Sequence, residues 1–277
     1  MIRTLTYGNH TIELGRRTLV MGILNITPDS FSDGGSYHTI EDAVKRAFEM
    51  VEQGADIIDI GGESTRPDAA EVSEQEELMR VIPVIKALTE AGLSVPISID
   101  TYKAEVADQA MQAGASIIND VWGFKREPRI AQVAAHYRCP VILMHNRTDM
   151  DYQDYLSDVL SDLSSSVAIA REAGVEDKQI ILDPGFGFVK TYEHNIWLMN
   201  HLREIVDLGY PVLLGTSRKR MIYHTLNLPK NELIEGTAAT VVLGIAQGCD
   251  IVRVHDVKEI KRTVTMTDAI IRNQFTF

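Results

Sequence analysis

Short apolar runs recur along the chain, each followed by a polar or glycine-containing turn and then by apolar residues at helical spacing. The runs are Leu19 to Leu24, Ile57 to Ile60, Pro96 to Ile99, Ile117 to Ile118, Pro140 to Met144, Ile180 to Leu182, Pro211 to Leu214 and Ile251 to Val254. Several are continuous β-branched stretches, as expected of strands buried on both faces. Behind the first run, Ile40, Val44, Ala47, Phe48 and Val51 form one helical stripe with Thr39 as the N-cap. Ser73 and Glu76 make a capping box for a helix carrying Leu78, Val81, Ile82, Ile85 and Leu88, and Pro83 inside it should kink it.

The alternation continues to the C-terminus. Val106, Ala107, Ala110 and Met111 mark a third helix, and Ile130, Val133 and Ala134 a short fourth. The fifth runs from about Asp154 to Ala173. Ile196, Met199, Leu202, Ile205 and Val206 lie on the sixth, and Leu233 to Ala246 on the seventh, weakened by Gly236. Asp256 and Glu259 cap the eighth, which carries Val257, Ile260 and Val264. Eight strand–helix pairs point to a single α/β domain over residues 1–277, a (β/α)8 TIM barrel. An open doubly wound sheet is the rival, but its usual five or six strands would leave units over. Residues 1–15 read as an N-terminal β-hairpin, Thr4 to Tyr7 and Thr11 to Leu14 around Gly8-Asn9, placed to plug the barrel bottom.

Composition narrows the classes. With 45% hydrophobic and 24% charged residues, the chain is neither disordered, collagen-like nor a membrane bundle. A net charge of −12 argues against a broad basic nucleic-acid face. Cys139 and Cys249 each precede an apolar run, and no CxxC or HExxH pattern suggests zinc. The first residues lack a signal-peptide core, and no apolar stretch approaches the roughly 18 residues of a membrane span. A reduced, cytoplasmic, soluble protein is expected.

In such barrels the active site lies at the C-terminal ends of the strands. The residues that follow or end the runs are Asn25, Gly61-Gly62-Glu63, Asp100, Asn119-Asp120, His145-Asn146, Asp183, Gly215 with Ser217-Arg218-Lys219, and Arg253 with His255. Short amide and carboxylate groups on strand ends suit a flat, nitrogen-rich ring. Arg66, Lys219, Arg253 and His255 bring cations to the same rim of an acidic chain, which suits an anion such as a diphosphate.

These positions fall in extended motifs. They are Met21-Gly22-Ile23-Leu24-Asn25-Ile26-Thr27-Pro28-Asp29-Ser30-Phe31-Ser32-Asp33-Gly34-Gly35, Gly61-Gly62-Glu63-Ser64-Thr65-Arg66-Pro67, Asp100-Thr101-Tyr102-Lys103 and Ile118-Asn119-Asp120. Leu182-Asp183-Pro184-Gly185-Phe186-Gly187-Phe188, Ser217-Arg218-Lys219 and Arg253-Val254-His255-Asp256 complete the series. Together, in this order, they resemble the dihydropteroate synthase family from about residue 19 to the C-terminus. The resemblance implies condensation of 6-hydroxymethyl-7,8-dihydropterin diphosphate with 4-aminobenzoate, assisted by Mg2+, in folate synthesis, and sulfonamides as inhibitors. It also implies a homodimer.

By the same resemblance, the pterin is held by Asp100, Asn119, Met144, Asp183, Phe188, Gly215 and Lys219. Asp183 would accept the ring's amino group and adjacent N–H bidentately, Lys219 would donate to its carbonyl, and Met144 and Phe188 would cover its faces. Asn25, Arg66, Arg253 and His255 would hold the diphosphate, with Asn25 the magnesium contact. Phe31, Thr65, Pro67, Ser217 and Lys219 would border the aminobenzoate, and the catalytic set is Asp100, Lys219, Arg66 and Asp33. The loops from about 27 to 38 and 61 to 72 would close over the site. The acidic residues Glu71, Glu74, Glu76 and Glu77 read as solvation.

Some features depart from the family or compete with it. Met144-His145-Asn146-Arg147 replaces a Met-His-Met-Gln-Gly form, and Met221 stands where an aromatic is common. Gly185-Phe186-Gly187 lacks the third glycine of a dinucleotide loop. A related pterin-dependent methyltransferase would not need the Thr27–Gly35 or Ser217–Lys219 motifs. A non-catalytic pterin-binding paralogue would have lost some of Asn25, Arg66, Lys219, Arg253 and His255.

Overall fold

The computed structural model describes residues 2–7, 10–26, 36–64, 71–229 and 231–272. An antiparallel hairpin, β1 (Arg3–Tyr7) and β2 (His10–Leu14), precedes the barrel strands. These are β3 (Leu19–Asn25), β4 (Ile57–Gly61), β5 (Ile97–Asp100), β6 (Ile117–Asp120), β7 (Val141–Met144), β8 (Ile180–Asp183), β9 (Leu213–Leu214) and β10 (Ile251–Val254). All pair in parallel, in the order β8-β7-β6-β5-β4-β3-β10-β9. A parallel bridge between Leu182 and Val212 joins the two ends and closes the ring. All eight apolar runs are therefore strands of one barrel.

Strand side chains alternate between two cores. Val20, Ile58, Ile60, Ile99, Ile118, Val141, Leu182 and Val252 point outward and pack under the helices. Leu19, Met21, Ile57, Ile117, Ile142, Ile181, Leu213 and Ile251 point inward. Leu5 and Leu14 of the hairpin are fully buried against that inner set, so the hairpin does plug the bottom. Gln179 ties it down by donating to the carbonyls of Thr6 at 2.9 Å and Arg138 at 2.7 Å.

The helices are α1 (Ser36–Glu52), α2 (Glu74–Glu90), α3 (Ala104–Ala113), α4 (Arg129–Tyr137), α5 (Tyr155–Glu172), α6 (Tyr192–Asn200), α7 (Leu202–Val206), α8 (Arg220–Leu226), α9 (Ile234–Gln247) and α10 (Val257–Ile271). Four local expectations change. Helix α1 starts a turn before Thr39. Ser73 accepts from the Glu76 amide, but the Glu76 carboxylate pairs with Arg80 along α2, so half of the capping box is given up. The sixth helix is broken at His201, whose N–H bonds the Leu198 carbonyl and whose ring bonds Trp197 O. Asp256 makes no cap to α10, because its carboxylate is taken by Arg218. Helix α2 continues through Pro83. Among the described residues no helix is long and apolar enough to cross a membrane.

Candidate active site

The inward parity that carries apolar residues at the barrel bottom carries polar ones at the top. Asp59 on β4, Asp100 on β5, Asn119 on β6 and Arg253 on β10 share it and meet inside the barrel. Arg253 donates from Nε to Asp59 Oδ2 and from Nη2 to Asp100 Oδ2, both at 2.6 Å. Asn119 Nδ2 donates to Asp59 Oδ2 at 3.2 Å. Asp59 is fully buried and Asp100 is 5% exposed. Asp100 Oδ1 is buried with no partner among the described residues.

Burial pushes the Asp100 carboxyl up to about 7; the Arg253 charge opposes this and the Asp59 charge adds to it. For Arg253, burial disfavours the charge, but Asp59 and Asp100 outweigh it and hold the guanidinium protonated. Two of its five donors are engaged by these carboxylates. Behind Asp100, Lys103 bridges Glu63 and Glu77. Glu77 is 1% exposed, so its reading as a solvation residue is wrong: it neutralises a buried lysine. Glu71 and Glu76 pair with Arg126 and Arg80.

Asp183 ends β8 beside Met144 of β7, its register partner. Its Oδ1 accepts the Gly185 amide at 2.8 Å. Burial raises its pKa, opposed by that hydrogen bond and by the charges of Lys219, Arg253 and Lys190. One oxygen caps the turn, and the other faces Gly215, where a Cβ would lie 3.6 Å from Oδ2, at ordinary contact distance. The Lys219 ammonium sits 4.3 Å from the centre of the Phe188 ring. Gly187, at φ +80°, makes room for the lysine stem: a Cβ would lie 3.0 Å from Lys219 Cδ. Ser217 Oγ lies 3.0 Å from His255 Nδ1. Asn25 and Asp100 flank Gly61, where a Cβ would be 3.8 Å from Asn25 Oδ1 and 3.7 Å from Asp100 Oδ2.

A cavity of about 690 Å³ opens on the same rim, lined in part by Glu63, Trp122, Phe188, Lys190, Lys219 and Arg220. It shares Phe188 and Lys219 with the barrel mouth, whereas Asp100, Asn119 and Asp183 do not line it. Phe31, Asp33, Thr65, Arg66 and Pro67 lie outside the described residues. Asp120 points outward and accepts the amides of Trp122 and Phe124, a loop cap rather than a site group. Arg218, in the left-handed region at φ +56°, turns away to Asp256. His145 also leaves the mouth: it is buried against α5, next to Asp162.

Comparison with known proteins places the chain in a family. Residues 21–255 match the pterin binding enzyme family. A dihydropteroate synthase of Bacillus subtilis is 62% identical over 92% of this chain and 89% of its own length. One from Clostridium beijerinckii is 57% identical over 96% of this chain and 98% of its own length. The chain belongs to the dihydropteroate synthase family. A dihydropteroate synthase of Clostridium difficile, solved in the presence of pteroic acid, superposes with a TM-score of 0.92 at 50% identity, covering 94% of this chain and 99% of that one. That of Xanthomonas albilineans with 4-aminobenzoic acid gives 0.93 at 40% identity, covering 99% and 100%.

Within this dihydropteroate synthase fold, Asp59 is the mouth residue that sequence reasoning missed. A signal was present: a carboxylate inside the run Ile57-Ile58-Asp59-Ile60, two residues from inward-facing Ile57. Lys190 and His145 were missed as a pair, because nothing in their spacing places one against the other.

Proposed function

We propose that this protein is a cytoplasmic dihydropteroate synthase that joins 6-hydroxymethyl-7,8-dihydropterin diphosphate to 4-aminobenzoate, releasing diphosphate. The observation that carries the reading is the convergence of Asp100, Asn119, Asp183 and Arg253 at one barrel mouth, beside a rim cavity bordered by Phe188 and Lys219. Asp183 Oδ2 and the unpartnered Asp100 Oδ1 supply acceptors for the donor edge of a pterin, and Asn119 and Lys219 supply donors. Met144 and Phe188 provide apolar cover.

The bond from the pterin methylene to diphosphate breaks first in this reading, and the electron pair leaves with the diphosphate. Positive charge develops on the methylene and spreads into the ring, where the carboxylate form of Asp100 stabilises it. The amine of 4-aminobenzoate then bonds to the methylene and loses a proton. Arg253, through its remaining donors, and His255 neutralise the departing anion. Arg66 and Asp33 are assigned to the closing loops, and Phe31, Thr65, Pro67 and Ser217 to the aminobenzoate border, by family resemblance.

Asn25 is the proposed magnesium contact. Its amide oxygen on the rim beside Asp100 suits a hard cation that keeps most of its waters, although the described residues contain no cluster of three or more His, Cys, Asp or Glu able to hold a metal by themselves. Bound there, magnesium would supply charge neutralisation to the diphosphate. A homodimer is supported by partly exposed Ile196 and Trp197 on α6 and Val242 and Leu243 on α9, two helices that pack together.

Diphosphate release from the pterin substrate, with and without 4-aminobenzoate, tests the proposal. Release that depends on the amine, with dihydropteroate formed in equal amount, is expected. Methyl transfer from a reduced folate, or pterin binding with no turnover, would replace it with one of the rival readings.

A further inference from the structure

The segment from Pro184 to Lys190 carries both Asp183's turn partner and Phe188. Its backbone enters the left-handed region three times, at Gly185 (φ +71°), Gly187 (φ +80°) and Val189 (φ +44°). Left-handed geometry costs free energy, most at the branched valine, so something must hold it. Part of the holding comes from Asn195, which accepts the Gly187 amide at 2.7 Å, and from the Tyr152 hydroxyl, which donates to the Val189 carbonyl at 3.0 Å.

The rest falls on Lys190. Its ammonium lies 3.0 Å from the Gly185 carbonyl, 3.2 Å from the Phe188 carbonyl and 2.7 Å from His145 Nδ1. Three acceptors meet the three protons of an ammonium; burial lowers its pKa to about 7, and the charges of Asp183 and Asp162 oppose that fall. On the imidazole, the ionised Asp162 carboxylate at 3.1 Å takes the proton-bearing Nε2, which leaves Nδ1 as the acceptor facing Lys190. Burial keeps His145 neutral, with its pKa lowered to about 4. Asp162 is itself held by Arg147 Nε at 2.6 Å. A chain of contacts therefore runs from α5 through the imidazole into the loop.

We propose that Lys190 is a positioning residue for pterin recognition: by clamping two loop carbonyls against His145, it fixes the turn that presents Asp183 and Phe188. The proposal rests on the pterin reading of the mouth. It gives no role to Lys190 in bond making.

The test compares wild type, Lys190→Met and Lys190→Ala. Losing the donor that serves three acceptors predicts a KM for the pterin diphosphate raised about tenfold or more, with KM for 4-aminobenzoate within about twofold. Amide hydrogen exchange in residues 184–190 should quicken. Ethylammonium chloride, with sodium chloride as the ionic-strength control, should restore pterin KM in Lys190→Ala. Unchanged KM, unchanged exchange, or absence of ethylammonium rescue each overturns the proposal. If Lys190→Met does not fold, His145→Phe, which keeps a ring and removes the acceptor, carries the same KM and exchange predictions. Wild-type protein that binds no pterin diphosphate would sink the functional reading instead, while the exchange experiment would still report on the clamp.

Discussion

Arg253 and Asp100, 153 residues apart in the chain, are joined by a 2.6 Å hydrogen bond inside the barrel. The same guanidinium holds Asp59, so one cation on β10 organises two carboxylates on neighbouring strands β4 and β5. Arg253 thus has a structural duty before any substrate arrives.

That arrangement makes Asp59 the mouth residue whose loss should hurt the fold most. Asp59→Ala removes the Nε partner of a buried guanidinium and the acceptor of Asn119. A cost of about 3–5 kcal/mol is expected, as for a broken buried ion pair. Urea denaturation measures it, and a change below about 1 kcal/mol would show that Arg253 re-pairs.

Asp100 should leave a mark on the pH dependence of stability. Its folded pKa, about 7, lies above the ordinary value of 3.8. Between these values the folded state holds a proton that the unfolded state has lost, so this group's contribution falls as pH rises from about 4 to 7. Asp100→Asn should flatten that part of the denaturation profile, and an unaltered slope would count against the raised pKa of this buried carboxyl.

His145 acts with the opposite sign. Its folded pKa, about 4, lies below the ordinary 6.5, so its contribution to stability grows as pH rises through that interval. Nitrogen-detected NMR should show a neutral ring protonated on Nε2 at pH 6. A ring protonated on Nδ1 would contradict the contact with Lys190.

Leu5 and Leu14 offer a contrast, because they seal the end of the barrel opposite the mouth. Each substitution to alanine should cost about 2–5 kcal/mol while leaving KM for both substrates near wild type. Thermal unfolding together with steady-state kinetics checks both halves of that expectation.

Gly185→Ala should be severe. A Cβ there would lie 2.0 Å from the His145 carbonyl oxygen, and φ of +71° suits glycine. Lost pterin affinity with a stability loss above about 2 kcal/mol is expected. Binding and denaturation of the purified variant decide it.

Much of this was legible in the chain. Strand runs such as Val141-Ile142-Leu143-Met144 and Ile180-Ile181-Leu182 announce themselves, because burial on both faces demands continuous apolar residues. Asn25, Asp100, Asn119 and Asp183 follow from barrel geometry, since polar groups at strand ends must share a rim. What remained hidden depended on partners distant in sequence. Whether Asp256 caps its helix or binds Arg218, whether Glu77 is solvated or neutralises Lys103, and which acceptors surround Lys190 are set by hydrogen-bond competition after the strands close. The linear order determined eight strands and the identity of the rim, because periodicity and burial are local properties. Only the closed barrel decided which charges touch, because a charge chooses its partner by distance, and distance exists only in the folded chain.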